Sequence, residues 1–126
     1  MCSIASGSSG NCVYVGSEAT HLLVDAGISG KKTEGGLQEL GISGRDLDGI
    51  LITHEHADHI SGLGVLARKY GIPMYATKGT IQAVMQMKGM GNIEPELWTE
   101  VREDQRFTIK DLVINPLKIS HDAAQP

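Results

Sequence analysis

Short apolar, β-branched runs alternate first with tight turns and then with segments of helical spacing, so the chain reads as strands followed by strand–helix units. Residues 2–6 and 12–16 are expected as two antiparallel strands around a Gly- and Ser-rich turn, with a third strand at 20–24. A helix over 31–40 is expected to end at Gly41, and Gly35-Gly36 inside it costs about 1 kcal/mol per glycine. Residues 49–53 read as a strand. The helix expected over 58–70 is stopped by Gly71 and Pro73, and Ile60, Leu63, Leu66 and Ala67 share its apolar face.

A short strand at 73–76 and a helix at 80–88 follow, Met85 and Met87 being packing residues, and 89–95 is a loop. Strands at 97–101, 105–109 and 112–119 are joined by charged turns. Trp98 is expected as half-buried cover. No internal repeat or low-complexity segment interrupts the pattern.

With 126 residues, 40% of them hydrophobic and 21% charged, the chain suits one globular unit without disorder. No apolar run approaches the roughly 18 residues of a membrane span, and no basic region with an apolar segment and cleavage site opens the chain. A cytoplasmic location is the default expectation, and no membrane partner is expected. Cys2 and Cys12 lack C-x-x-C spacing and read as free, strand-borne thiols, although the first two strands could bring them near each other.

The net charge of −4 gives no basic footprint for holding nucleic acid, which argues against a simple DNA-binding module. It leaves room for a nuclease, since two divalent ions bring about four positive charges to the place where a phosphate sits. Lys31-Lys32 and Arg68-Lys69 read as solvated helix faces.

The chemistry concentrates in Thr53-His54-Glu55-His56-Ala57-Asp58-His59, directly after a β-branched run. Imidazole nitrogens and carboxylate oxygens are zinc ligands at about 2.0–2.2 Å, and three or four of them complete a catalytic shell. His54, His56, Asp58 and His59 fall within six residues, so one loop could serve two ions. Clustering separates these histidines from His21, which sits in an apolar run and reads as a structural residue. His121 follows another strand-like run. Glu55 and Ala57 alternate with the ligands and are expected to point away from the metals.

The H-x-H-x-D-H pattern, with a preceding strand ending in Thr53 and a helix opening at Ile60-Ser61-Gly62-Leu63, resembles that of the metallo-β-lactamase superfamily. The strand Leu22-Leu23-Val24-Asp25-Ala26-Gly27 and the segment Ile119-Ser120-His121-Asp122 resemble two further motifs of that family. Ala5-Ser6-Gly7-Ser8-Ser9-Gly10-Asn11, Gly64-Val65-Leu66-Ala67-Arg68-Lys69-Tyr70 and Ser120-His121-Asp122-Ala123-Ala124 look more narrowly like its YycJ-like (WalJ/VicX) branch of bacterial, cytoplasmic, metal-dependent hydrolases. Proposed exonuclease activity in that branch implies nucleic acid as a partner of the intact parent.

The resemblance implies an α/β fold: half of the αββα sandwich, one mixed β-sheet with helices on one face, residues 1–126 forming the N-terminal portion of a single domain. It implies His54, His56 and His121 as ligands of one Zn2+ or Mn2+ ion and Asp58 and His59 as contributors to a second, Asp58 also orienting the nucleophilic water. Asp25 is expected to hydrogen-bond the metal loop and fix ligand orientation; the alternative is a turn aspartate at a strand end. The Gly7–Asn11 turn, through Ser8, Ser9 and Asn11, either presents N–H and hydroxyl groups to a phosphate or is only a hairpin turn. Asp122 is either a ligand neighbour or a cap.

The family's bridging aspartate and final histidine come from the second half of the fold and have no position here. One sheet face is then expected to stand bare, which favours self-association or poor solubility. Three functions remain open: a metal-dependent phosphodiesterase or exonuclease, a hydrolase of small thioesters or lactams, and a fragment that binds metal without turnover.

Overall fold

A computed structural model describes residues 2–5, 11–53, 60, 62–87, 93–102 and 105–114, with the backbone alone for 2–5. Its elements run β1 (Cys2–Ala5), β2 (Cys12–Gly16), β3 (His21–Val24), α1 (Gly30–Glu39), β4 (Gly49–Leu51), α2 (Leu63–Tyr70), β5 (Met74–Ala76), α3 (Lys78–Met85), β6 (Trp98–Glu100), β7 (Phe107–Ile109) and β8 (Leu112–Ile114). Single 3-10 turns at Gly44–Asp46 and Pro95–Leu97 lead into β4 and β6.

Strands β1 to β6 lie in sequence order in one mixed sheet. The first three are antiparallel neighbours, and from β3 onward every neighbour is parallel. Each parallel step needs a crossover, and α1, α2 and α3 supply the three. Crossovers of one hand along a sheet that grows in one direction put their helices on one face.

Side chains of the central strands alternate between two cores. Leu23, Ile50, Ile52, Met74 and Ala76 pack with Leu37 of α1, Leu63, Leu66 and Ala67 of α2 and Val84 of α3. Leu22 and Leu51, with Val24 and Tyr75, pack instead with Phe107, Ile109, Leu112 and Ile114 of β7 and β8. Strands covered on both sides carry unbroken apolar runs, which is why Leu22-Leu23-Val24 and Ile50-Leu51-Ile52 show no polar alternation.

The expectation of a bare second face is therefore corrected. β7 and β8 do not extend the main sheet but form a separate antiparallel pair, turned at Lys110-Asp111 with Lys110 in the left-handed region at φ 52°. This hairpin lies over the sheet and leaves Leu22 fully buried and Leu51 5% exposed. Leu22 and Leu51 therefore offer no bare apolar surface on that face.

The hairpin turn is latched at its tip. Asp111 accepts from the Ser17 hydroxyl at 2.7 and 2.9 Å and from the Thr20 hydroxyl, and Lys110 pairs with Asp48 at 2.7 Å. The Thr20 and Ser17 hydroxyls hold the Asp111 carboxyl below its ordinary pKa. At Asp48, burial works upward but is outweighed by Lys110 and the His21 N–H, so its pKa is lowered as well. Depressed carboxyl pKa values stabilise the fold above the unfolded-state value of about 4 and lose that contribution as pH falls through the folded values. Amide exchange at Ile109 and Ile114 should therefore accelerate below about pH 4 relative to the Leu66 and Ala67 amides. Asp111→Asn should show fast hairpin exchange already at neutral pH; equal protection in that variant would rule out the latch.

Helix ends follow local chemistry. Ser29 caps α1 by accepting from the Lys32 N–H at 3.2 Å. Gly71 ends α2 in the left-handed region at φ 63°, its N–H donating to the Ala67 carbonyl at 2.8 Å. Two expected boundaries move: α3 starts at Lys78 after extended Thr77 and ends at Met85, and Pro95 opens a 3-10 turn that shortens β6 to Trp98–Glu100. Trp98 is half-buried and donates to the Met85 sulfur at 3.1 Å. Among the described residues, no helix is long and apolar enough to cross a membrane.

Candidate active-site edge

Because β3 to β6 run parallel, their carboxyl ends open on one edge of the sheet, the place where open α/β sheets bind ligands. β4 carries the chain through Ile52 to Thr53 at that edge, and residues 54–59 follow in the sequence. His54, His56, Asp58, His59 and His121, with Ser8 and Ser9, lie outside the described residues. The described residues form the frame from which the histidine-rich segment departs.

Asp25 is the centre of that frame. It follows β3 with φ 66°, a conformation Asp tolerates better than most residues. Its N–H donates to the Leu51 carbonyl at 2.7 Å, and its carboxylate is turned onto Thr53. One oxygen accepts the Thr53 N–H at 2.8 Å and the other the Thr53 hydroxyl at 2.7 Å. With Asp25 only 4% exposed, these charge-assisted bonds fix the direction in which the chain leaves β4. Asp25 is expected from the sequence to hydrogen-bond the metal loop and fix ligand orientation; the described bonds run to Thr53, the residue just before it.

The far end of the segment is tied to the same turn. The Gly62 N–H donates to the Ala26 carbonyl at 2.8 Å, and a Cβ added at Gly62 would lie 2.1 Å from the Ile28 carbonyl oxygen. Residue 62 must be glycine for α2 to start this close to the β3 turn. The Gly27 N–H donates to the Asn11 carbonyl at 2.8 Å, so Asn11 borders the same turn. Thr53 and Gly62, which flank the segment in sequence, are thus both held by the turn at 25–28. Sequence reasoning missed Gly62, whose signal was a glycine placed just after a ligand-rich segment.

His21 stands apart, as read from the sequence. It lies at the opposite end of β3, its Nδ1 2.6 Å from the Tyr14 hydroxyl and its ring stacked on Tyr14 at 5.9 Å. Cys12 is a free, buried thiol, and burial pushes its pKa up to about 12, opposed by a hydrogen bond from Thr33. A thiol so raised is no nucleophile at neutral pH. In the β1–β2 register Cys2 lies opposite Tyr14 and Cys12 opposite Ala5. Lys69 pairs with Glu34 at 3.0 Å on the exposed face of α2.

Among the described residues, no three His, Cys, Asp or Glu side chains converge on a metal-sized site. The donor set that fits a metal is the imidazole- and carboxylate-rich segment 54–59, and the clamped exit of β4 suits it, because ligand orientation depends on the residues that hold the loop.

A mixed sheet with three helices on one face and a histidine-rich segment leaving a central parallel strand defines one half of a metallo-β-lactamase fold. The chain matches the metallo-β-lactamase superfamily over residues 5–114 and belongs to it. It is 45% identical over 131 residues to exodeoxyribonuclease YycJ of Bacillus anthracis, and 46% identical over 123 residues to exodeoxyribonuclease WalJ of Streptococcus pneumoniae. Each alignment takes in 98% of this chain and 46% of the relative, so the chain spans about half the length of these curated relatives. Among solved structures, the metallo-β-lactamase SMB-1 bound to 2-mercaptoethanesulfonate superposes with a TM-score of 0.70 at 19% identity, covering 88% of this chain and 47% of that one. That likeness is one of fold.

Proposed function

We propose that the protein to which this chain belongs is a metal-dependent phosphodiesterase, an exonuclease acting on DNA in the cytoplasm, with residues 1–126 as the N-terminal portion of its catalytic domain. The observation that carries this reading is a ligand-rich segment, residues 54–59, leaving β4 at the carboxyl edge with both flanks held by the β3 turn. Two relatives at 45% and 46% identity named exodeoxyribonucleases support the substrate class.

His54, His56 and His121 would hold one ion, and Asp58 and His59 would contribute to a second; this nitrogen and oxygen set suits zinc or manganese. When bound, the metal supplies a water acidified to about neutrality and a Lewis acid toward the scissile phosphoryl group. Asp58 orients the attacking water. Asp25 holds Thr53, and through it the start of the loop, in one direction. Ser8, Ser9 and Asn11 offer hydroxyl, amide and backbone N–H groups to a substrate phosphate.

The test is release of nucleotides from end-labelled DNA by the full-length protein, with zinc or manganese and again with excess EDTA. Metal-dependent shortening of DNA is the expected result. Hydrolysis of thioesters or lactams with DNA left intact would replace this reading with carbonyl chemistry.

A further inference from the structure

A cleft of about 330 Å³ opens between β6 and β7, outside the site described above. The Val101 N–H donates to the Ala76 carbonyl at 2.9 Å, carrying β6 alongside β5 to the carboxyl edge, and Arg102 follows there. The Gln105 N–H then donates to the Arg102 carbonyl at 3.2 Å, a turn that brings Arg106 back to the same cleft. Tyr75 and Phe107 form one wall, their rings stacked at 5.6 Å and 18° and both partly exposed. Arg102 and Arg106 are exposed and have no ion-pair partner among the described residues, whereas Lys69 and Lys110 are paired. Glu100 lines the cleft too, also without an ion pair among the described residues.

With Glu100 as the one acidic side chain in its described lining, the cleft holds two arginines against one carboxylate, and this local excess of positive charge in a chain of net charge −4 favours an anionic occupant. A stacked, half-exposed aromatic pair beside them offers a π-face of the kind on which bases of single strands stack. β6 is two strand spacings from β4, about 10 Å along the same edge. We propose that this cleft docks a single strand of nucleic acid, Arg102 and Arg106 neutralising phosphates and the Tyr75–Phe107 wall receiving a base, so that the strand is held a few nucleotides from the metal-ligand segment. The inference rests on the nucleic-acid reading of the protein and adds a binding site that the metal motif does not contain.

Anisotropy of a fluorescein-labelled oligothymidylate of about ten nucleotides, titrated with the full chain in EDTA, isolates this cleft from any metal contact. Arg102→Ala with Arg106→Ala should weaken binding at least about tenfold and lower the slope of log K against log salt by about 1.4, at about 0.7 per phosphate on single strands. The paired Lys substitutions should keep the slope, and Glu100→Gln should tighten binding; circular dichroism checks that each variant is folded. No binding by the parent chain, or equal affinity and slope in the Ala pair, overturns the docking site. Metal-dependent DNA hydrolysis that persists in either case leaves the proposed activity standing, while loss of that activity with unchanged oligothymidylate binding rejects the activity and keeps the cleft.

Discussion

Replacing Asp25 with Ala should cut metal affinity by about 10- to 100-fold and destabilise the fold by roughly 2–4 kcal/mol. Two terms make up the stability loss. The Thr53 N–H and hydroxyl lose the carboxylate that accepts both, at 2.8 and 2.7 Å, in a buried site. Alanine at φ 66° then adds about 1 kcal/mol of left-handed strain that aspartate tolerates better. Asp25→Asn separates the two effects. Its amide can accept the Thr53 N–H and donate to the hydroxyl, and Asn also tolerates this backbone, so stability should largely survive while the carboxylate charge is gone. Thermal melts with zinc titration of both variants give the answer. Wild-type zinc affinity in Asp25→Ala would show that Asp25 is only a turn residue.

Gly62→Ala should be nearly as severe, although it adds a single methyl group. The new Cβ would meet the Ile28 carbonyl oxygen at 2.1 Å, with Gly30 N and Ser29 C at 3.2 Å, and these are backbone atoms that cannot swing away. Relief requires α2 to move from the β3 turn, breaking the 2.8 Å bond from the Gly62 N–H to Ala26. Overpacking of this kind costs about 1–3 kcal/mol, which lowers the melting temperature by up to about 10 °C in a chain of this size. Gly35→Ala is the contrasting case. No atom lies within 4 Å of its added Cβ, and Ala is the better helix former, so stability should rise by several tenths of a kcal/mol. Equal melting temperatures for the two alanine variants would contradict the close approach at residue 62.

The central strands were legible because burial on both faces writes itself as continuous apolar sequence, as at Leu22-Leu23 and Ile50-Leu51-Ile52. α1 and α2 were legible from their glycine stops, and the histidine-rich segment stood out because four candidate ligands, three His and one Asp, cluster behind a strand. The hairpin was harder. Lys110-Asp111 carries none of the Asn-Gly or Asp-Gly chemistry that marks two-residue turns, so β7 and β8 read as further strands rather than as a cover folded over Leu22 and Leu51. What makes the turn hold is tertiary: Ser17, Thr20 and Asp48 lie more than 60 residues away in sequence from the Lys110 and Asp111 side chains they bind. The positive φ of Asp25 and the approach of Gly62 to Ile28 are likewise properties of packed neighbours. In sequence Arg102 and Arg106 belong only to a charged stretch; the lining of one cleft brings them together.

The measurement that bears most directly on the metal reading is metal content per chain by elemental analysis, on a sample of known intact mass and oligomeric state. Close to one zinc or manganese ion per chain is expected, held through His54, His56 and His121, with any second ion weak. His56→Ala should lose that ion and His21→Ala should keep it. No bound metal in the parent chain, or content unchanged by His56→Ala, would contradict the assignment of residues 54–59 as the metal-binding segment.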